Sequence, residues 1–173
     1  FISSHPMAGK EISGPEGASS DLFIGKPWVI VGGSAQDSSA QEIEALASDL
    51  GALTIYMGIE EHDEAVAKVS HLPQVISSLL AGMFAEADQK TLSLSGTGLT
   101  DTTRIAASDA ELWNQILISN RENLVPLLES YSKALQLLIE DLKSKSDQEV
   151  VESIKKLMET GNFGKARIEE SKP

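Results

Sequence analysis

The sequence of 173 residues contains no cysteine, and aromatic residues make up only 5% of it. The absence of cysteine excludes disulfide bonds and metal sites built on thiolates. Because aromatic side chains are scarce, a hydrophobic core must consist mainly of Leu, Ile, Val and Ala, as in packed helices. Hydrophobic residues still account for 41% of the chain, which is enough for a core, and the length fits one domain, or the end of one domain followed by a second.

Positive charge is also scarce, since 14 Lys and Arg residues stand against 26 Asp and Glu residues, for a net charge of −12. No basic cluster is longer than a pair. This pattern argues against a protein that binds nucleic acid by neutralising its phosphates. A small anionic substrate is compatible with the balance, because its site needs only local cations.

Long hydrophobic runs are missing as well. The most apolar one, LPQVISSLLAGMFA (72–85), is rich in serine and shorter than the roughly 20 residues that span a bilayer. The first residues lack the basic segment and apolar stretch of a signal peptide. We therefore expect a cytoplasmic protein without a membrane partner.

Two short apolar runs are typical of buried strands, KPWVIVGG (26–33) and LTIYM (53–57). The segment between them predicts an amphipathic helix with Gly51 as its C-cap. Strands joined by a helix lie parallel in one sheet, and the opening FIS adds a third strand. Because a parallel sheet is buried on both faces, these strands form only part of a sheet, and we expect the other half upstream of Phe1.

From residue 60 onward the sequence predicts helices. Residues 60–87 form one long predicted helix, bent near Pro73 because proline removes a backbone hydrogen bond. Residues 93–103, SLSGTGLTDTT, are predicted to be a loop. Ser108 and Glu111 have the spacing of a capping box and predict the start of a new helix.

The clearest helical pattern covers residues 121–144. Its apolar residues alternate four and three apart, as in the seam of a coiled coil: Leu124, Leu128, Tyr131, Leu135, Leu138 and Leu142. Asp147 is predicted to cap a last helix that carries residues such as Ile154 and Leu157. The polar segment 161–173 is predicted to be a frayed tail.

Residues 72–84 are apolar around most of the girth of their predicted helix. Such a helix must be surrounded by other apolar groups. The small helical region supplies few such groups, so we expect a second copy of the chain to supply the others. The sequence therefore predicts a homodimer formed through its helical part.

His5 is predicted to lie just after a strand, in a loop with Gly9, Ser13 and Gly14. In open α/β sheets ligands bind beyond the carboxyl ends of the strands. A histidine there can act as a general base near neutral pH, because its reference pKa of about 6.5 needs little adjustment. The alternative is a loop histidine held beside a turn.

His62 and His71 do not form a metal site in this interpretation. They are nine residues apart, which places them on opposite sides of one α-helix, and His62 is predicted to be a solvated surface residue. His71 belongs to the apolar stretch and is either a core histidine bonded to a carbonyl or a donor that faces a ligand. No metal ligand is predicted.

Arg104 stands at an unusual place, because Asp101 or Thr102 resembles an N-cap and would put the arginine in the first turn of a helix, where the dipole disfavours cations. It is either a surface arginine paired with Asp101 or a clamp for a carboxylate. The glycines of SGTG (95–98) favour a flexible connection over a nucleotide motif. Trp113 is expected in the core.

Several stretches together resemble the prephenate/arogenate dehydrogenase family of tyrosine biosynthesis. They are HPMAGKEISG (5–14), DLFIGKPWVIV (21–31), EEHD (60–63), VSHLP (69–73) and DTTRIAASDAELWNQILISN (101–120). The resemblance implies a mixed fold, in which residues 1–58 are the end of a Rossmann-type dinucleotide-binding domain. An all-α dimerisation domain over 59–160 and the tail 161–173 follow. The glycine-rich nucleotide motif belongs to the front half, so cofactor-binding residues stay unassigned.

The same resemblance implies an oxidative decarboxylation with NAD or NADP, acting on prephenate or arogenate. His5 would accept the proton of the ring hydroxyl, Arg104 would bind a substrate carboxylate, and His71 would line the pocket. Glu11 would join an ionic network with Arg104. Lys10 and Gln74 replace residues that are commoner in the family, which leaves the choice between the two substrates open.

Overall fold

The computed structural model describes residues 1–9 and 14–171 of the chain. It divides into two compact units, Phe1–Leu127 and Leu128–Pro173. The described part contains β1 (Ser3–Pro6), β2 (Pro27–Val31), α1 (Ser38–Asp49), β3 (Leu53–Met57), α2 (Ile59–Val66), α3 (Leu72–Gly82), α4 (Gln89–Leu92), α5 (Thr97–Thr103), α6 (Ala110–Ser119), α7 (Arg121–Ser144) and α8 (Asp147–Glu170). A small sheet followed by helices confirms the predicted fold class.

The three strands form one sheet in the order β1–β2–β3. As predicted, β2 and β3 are parallel, whereas β1 is antiparallel to β2 and places His5 opposite Val29. The first strand also lies later than the predicted FIS, because its pairing with β2 continues until the Met7 amide donates to the Pro27 carbonyl at 2.8 Å. The prediction that His5 lies in a loop is therefore wrong, since the residue is part of β1.

Helix α1 packs on one face of the sheet. Trp28 and Ile30 alternate with residues of the other face and are buried beside the small residues Ala40 and Ala47 of the helix. The C-cap is Leu50, one residue before the predicted Gly51, which follows with φ +77° and whose amide donates to the Ser48 carbonyl at 2.9 Å. A side chain would be strained at this φ, and glycine ends the helix without that cost.

Residues 59–82 form a helical segment that contains one π-helical turn. The turn covers Ala67–His71, between α2 and α3, and it ends two residues before Pro73. A π turn closes i→i+5 hydrogen bonds and so contains one residue more than an α turn. The predicted helix over 60–87 is confirmed up to Gly82, where α3 ends.

Residues 97–107 correct two predictions. The predicted loop over 93–103 contains α5, whose threonine hydroxyls donate to carbonyls one turn earlier, such as Thr103 to Leu99 at 2.8 Å. Arg104 follows α5 as the first residue of a 3₁₀ turn, Arg104–Ala107. Its predicted place in the first turn of a helix is wrong, and at the carboxyl end of α5 the dipole favours a cation.

The cap of α6 also differs by one residue from the prediction. The carboxylate of Asp109 accepts a hydrogen bond from the Leu112 amide at 2.8 Å and caps the helix. The Ser108 hydroxyl, predicted to be the cap, instead donates to the Ile105 carbonyl at 2.7 Å. Asp and Ser are comparably good N-caps, so local sequence did not separate the two positions.

Two buried polar side chains of α3 hold the segment that contains Arg104. The Gln74 amide donates to the Ile105 carbonyl, and the Ser77 hydroxyl donates to the Thr102 carbonyl, each at 2.9 Å. Both side chains are at most 5% exposed. The two accepting carbonyls lie on either side of Arg104, so α3 fixes the backbone from which the guanidinium extends.

Replacing Ser77 by alanine is expected to lower the free energy of unfolding by about 0.5–1.5 kcal/mol, because the hydrogen bond from the buried Ser77 hydroxyl to the Thr102 carbonyl is lost. The exposed neighbour Ser78 is the matched control, and its alanine variant should stay within about 0.5 kcal/mol of the wild type. Urea unfolding followed by circular dichroism measures both. Equal effects of the two substitutions would contradict the assignment.

Helix α7, which begins in the first unit and belongs to the second from Leu128 onward, has the bounds that the heptad pattern predicts. Helix α8 begins one residue earlier than predicted, because Ser146 is its N-cap and pairs reciprocally with Glu149 in a capping box. It continues to Glu170, so the predicted frayed tail is wrong for residues 161–170. Glycines in that segment lower helix propensity, but the apolar stripe of α8 extends through Ile168.

The apolar seams of α7 and α8 are largely exposed in the single chain. Leu135, Leu142 and Leu157 are 49%, 54% and 48% exposed. Apolar stripes of this kind are covered by another surface in coiled coils and helix bundles. In the described part of the chain, no helix has both the length and the apolar character needed to cross a membrane.

Candidate active site

Three histidines from separate elements meet in the first unit. His5 comes from β1, His62 from α2, and His71 from the end of the π turn. His5 Nδ1 and His62 Nε2 are 2.9 Å apart, and the charges of both rings act on His71. The sequence placed these residues apart, and the structure brings them together.

The π turn accounts for this convergence. Nine residues of regular α-helix separate two side chains by roughly 180° around the axis. The additional residue of the Ala67–His71 turn shifts everything after it by roughly one residue, or about 100°. The prediction that His62 and His71 lie on opposite sides is therefore wrong, because it assumed a regular helix.

The prediction of His62 as a solvated surface residue is wrong as well. Its side chain is only 13% exposed, because one ring nitrogen contacts His5 and the other contacts Asp63. Sequence reasoning had a signal here, since His62 belongs to the EEHD stretch that resembles the family. That stretch places a carboxylate, Asp63, directly after the histidine, and a hydrogen-bonding role needs no further ligand.

Asp63, His62 and His5 form a chain of hydrogen bonds. The Asp63 carboxylate can only accept, so His62 Nδ1 donates to its Oδ1 at 2.8 Å. With both rings neutral, His62 Nε2 is then an acceptor, and His5 Nδ1 donates to it. His5 is left with a lone pair on Nε2, which is the arrangement that a general base requires.

Electrostatics keep the His5 imidazole in its basic form. Burial lowers the pKa of His5 below its usual value, and a positive charge on His62 lowers it further. The ring is therefore neutral at pH 7. A proton taken up at Nε2 would be stabilised through the hydrogen bonds that lead to the Asp63 carboxylate.

His71 is buried and is bound by a different set of groups. It is 6% exposed, its Nδ1 lies 3.3 Å from the Nδ2 atom of Asn120, and its ring meets Trp113 edge-on with centroids 6.2 Å apart. Burial is the largest cause that lowers the pKa of His71, and the charge of His5 adds to it, while Asp63 acts in the opposite direction. The partner is a side-chain amide, not the carbonyl that one interpretation predicted.

A cleft of about 440 Å³ lies beside the histidines. His5 and His62 line it together with the carboxyl end of β2 and the start of α2. Gly32 belongs to its wall and has φ +71°, in the region that favours glycine. The position agrees with the rule that ligands of α/β sheets bind beyond the carboxyl ends of parallel strands.

A larger cleft, of about 730 Å³, lies in the second unit between α7 and α8. Its walls carry exposed Lys and acidic side chains, such as Lys145 and Asp141 in an i,i+4 ion pair of 2.8 Å. Exposed ion pairs of this kind are common on helix surfaces and contribute little to stability. We place the candidate site at the smaller cleft, because His5 and His62 line it. Among the described residues, no group of three or more His, Cys, Asp or Glu side chains is arranged to hold a metal ion.

Arg104 is exposed. The backbone next to it is bound by a residue of α3 that lies about one helical turn after His71. Gln74, which binds the Ile105 carbonyl, follows His71 by three residues and shares its side of the helix. The predicted convergence of Arg104 and His5 on one ligand stays a prediction. Glu11, predicted to join Arg104, lies outside the described residues.

Sequence profiles of one family match nearly the whole chain. The profile for "prephenate dehydrogenase, nucleotide-binding domain" matches residues 1–56, and the one for "prephenate dehydrogenase, dimerization domain" matches residues 59–156. The predicted domain boundary between residues 58 and 59 falls next to the junction of these two ranges.

Individual proteins agree with the profiles. The chain is 34% identical to a probable prephenate dehydrogenase of Streptomyces niveus, over 84% of this chain and 41% of the relative. The Aquifex aeolicus prephenate dehydrogenase in complex with hydroxyphenyl propionate and NAD+ is 29% identical, with a TM-score of 0.77 over 94% of this chain and 58% of that chain. Synechocystis arogenate dehydrogenase is 27% identical, with a TM-score of 0.73 over 97% and 61%. The chain spans about half the length of the curated relatives it matches.

Proposed function

Because the chain belongs to the prephenate dehydrogenase family, we propose that the protein catalyses the oxidative decarboxylation of prephenate to 4-hydroxyphenylpyruvate with NAD(P)+. The observation that carries this proposal is the Asp63–His62–His5 chain of hydrogen bonds beside the cleft. A half-buried relay that ends in an unprotonated imidazole nitrogen is suited to removing a proton from a substrate hydroxyl.

His5 is the general base in this proposal. Its Nε2 accepts the proton of the ring hydroxyl as the hydride leaves the carbon atom that bears this hydroxyl. Loss of the ring carboxylate as CO2 then yields the aromatic ring. His62 and Asp63 orient the imidazole and stabilise the positive charge that it acquires. Aromatisation supplies much of the driving force, so the protein mainly has to position the substrate and remove one proton.

The nicotinamide ring of the cofactor supplies the hydride acceptor when it is bound. The end of β2 fits such a flat ring, because Gly32 has no side chain and lines the cleft. Val31 and Gly32 would hold it there. The NAD+ in the Aquifex aeolicus complex supports a dinucleotide for this chain too, and the choice between NAD and NADP is part of the test below.

Arg104 is the proposed partner of a substrate carboxylate, with Glu11 as a member of the same ionic network. A guanidinium binds a carboxylate through two parallel hydrogen bonds, which gives both affinity and orientation. The buried bonds from Gln74 and Ser77 to the neighbouring carbonyls support this role, because a clamp needs a fixed backbone.

Arogenate is the alternative substrate, and the likeness to Synechocystis arogenate dehydrogenase supports this alternative. The experiment is an assay of NAD(P)H formation by the full-length gene product with each substrate and each cofactor. We expect the highest kcat/KM with prephenate. A higher value with arogenate would reverse the assignment. No NADPH or NADH formed with either substrate would leave a helical dimerisation module without catalysis.

A homodimer is the second part of the proposal. The match to the dimerization-domain profile supports it, and so do the exposed apolar residues of α3, where Leu79 is 64% exposed. We expect the 173-residue chain to sediment as a dimer at micromolar concentration. Leu79→Glu should weaken the dimer at least about tenfold, because a charge in an apolar interface is costly.

The control for this variant is Gln89→Glu, which adds the same charge at an exposed position of α4. It should leave the sedimentation coefficient unchanged. A wild-type chain that sediments as a monomer at micromolar concentration would refute the interpretation of the α3 surface.

A further inference from the structure

We propose that Asn120 is a positioning residue that holds His71 as a neutral imidazole with its proton on Nε2, so that His71 serves the site as a hydrogen-bond donor. The tautomer follows from contacts within the chain. The identity of the acceptor, an oxygen atom of the substrate, rests on the proposed function.

The orientation of the Asn120 amide is determined by its partners. Its Nδ2 lies 2.7 Å from the backbone carbonyl of Asp63, which can only accept a hydrogen bond. The atom at that position must therefore be the nitrogen, and the amide cannot be flipped. Its oxygen accepts a hydrogen bond from Asn123 Nδ2 at 2.8 Å, which agrees with this orientation.

The same NH2 group determines the tautomer of His71. One of its hydrogens points to the Asp63 carbonyl, and the other is available to His71 Nδ1 at 3.3 Å. Nδ1 must then carry the lone pair, which leaves the ring proton on Nε2. A proton on Nδ1 would face the N–H groups of the amide, so the contact opposes both the other tautomer and the imidazolium.

The groups around His71 act in the same direction. The ring is 6% exposed and packs edge-on against Trp113, so water compensates a positive charge poorly. Positive charges on His5 and His62 repel an imidazolium, whereas the Asp63 carboxylate favours one. That carboxylate already accepts the hydrogen bond of His62 Nδ1.

In this proposal the two imidazoles have opposite roles: His5 lines the cleft, and His71 is buried outside the cleft lining. His5 offers a lone pair on Nε2, and His71 offers an N–H on its own Nε2. Asn120 connects them, because it holds the backbone of Asp63, whose carboxylate orients the His62–His5 pair. A substrate with one hydroxyl group and one acceptor oxygen matches this combination.

The test is a measurement of histidine ring nitrogens by 15N NMR on the labelled 173-residue chain. We expect His71 to show an unprotonated Nδ1 and a protonated Nε2 between pH 6.5 and 8. Asn120→Asp places carboxylate oxygens against Nδ1, so the shifts of the two nitrogens should exchange or both become those of an imidazolium. Asn114→Asp is the control, because it adds the same charge to an exposed position of α6 and should leave His71 unchanged.

A wild-type His71 that carries its proton on Nδ1 would overturn the proposal by itself, whether or not the variants fold. So would an Asn120→Asp variant with the wild-type tautomer. The outcome is distinguishable from the fate of the proposed function, because the tautomer is measured without substrate or turnover. An inactive protein with the expected tautomer would refute only the dehydrogenase.

Discussion

Replacing His5 by asparagine is expected to lower the kcat of the full-length protein about 10²- to 10⁴-fold, the usual contribution of a positioned general base. The Asn amide can still donate to His62 Nε2 near the place of the imidazole Nδ1, so the local hydrogen bond is retained. The variant has no group at the position of Nε2 and cannot accept the substrate proton. Substrate affinity and the dimer should be unchanged.

Ser4→Ala is the matched control for this substitution. Ser4 is the neighbour of His5 in β1, and the alternation of a strand directs its side chain to the opposite face of the sheet. The control should keep wild-type turnover in steady-state assays. Unchanged turnover in His5→Asn would remove His5 from the mechanism and, with it, the main support for the proposed function.

The pH profile gives a second readout of the same residue. Only neutral His5 can accept a proton, and burial together with His62 lowers its pKa. The acid limb of kcat/KM should therefore have its midpoint below the reference value of about 6.5, with activity intact from there upward. A midpoint above that value would mean that the titrating group is stabilised in its charged form, contrary to the environment of His5.

Replacing Arg104 by alanine is expected to raise the apparent KM about 10- to 100-fold with a smaller effect on kcat. A hydrogen bond to a charged group contributes about 1.5–3 kcal/mol, and a bond that is present in both the ground state and the transition state appears mainly in KM. Arg104→Lys should lie between alanine and the wild type, since it keeps the charge but loses the planar fork.

Arg121→Ala controls for the loss of one positive charge. Arg121 is an exposed residue at the start of α7, and its removal should leave KM unchanged. Urea unfolding of each variant separates binding from folding, because the bonds from Gln74 and Ser77 hold the Arg104 backbone whichever side chain is present. An unaffected KM in Arg104→Ala would make it a surface arginine, the other interpretation of its sequence.

Elements whose signals are local were predictable from the sequence. The apolar runs of β2 and β3, the glycine that ends α1 and the heptad pattern of α7 depend on residues within a few positions of each other. Family membership was predictable for a similar reason, since short stretches such as HPMAG and TTRIA are specific as written. His5 was selected in this way, although its strand was not.

Tertiary contacts decided the rest. Helix α5 forms in a segment rich in Gly and Thr, where the buried Ser77 side chain of α3 binds the Thr102 carbonyl and helps to compensate the weak helix propensity. Strand β1 extends through His5 because β2 supplies its hydrogen-bond partners. Neither partner is near in sequence, so local patterns could not indicate either element.

The candidate site also combines local signals with tertiary contacts. Residue types alone pointed to the groups of the proposed chemistry, His5 for proton transfer and Arg104 for an anion, because functional groups are properties of single residues. Their partners are visible only in the folded chain, where His62 links His5 to Asp63 and Asn120 contacts His71. The reason is geometric: one residue more in a helical turn changes the face on which everything after it lies, and that turn is stabilised by packing.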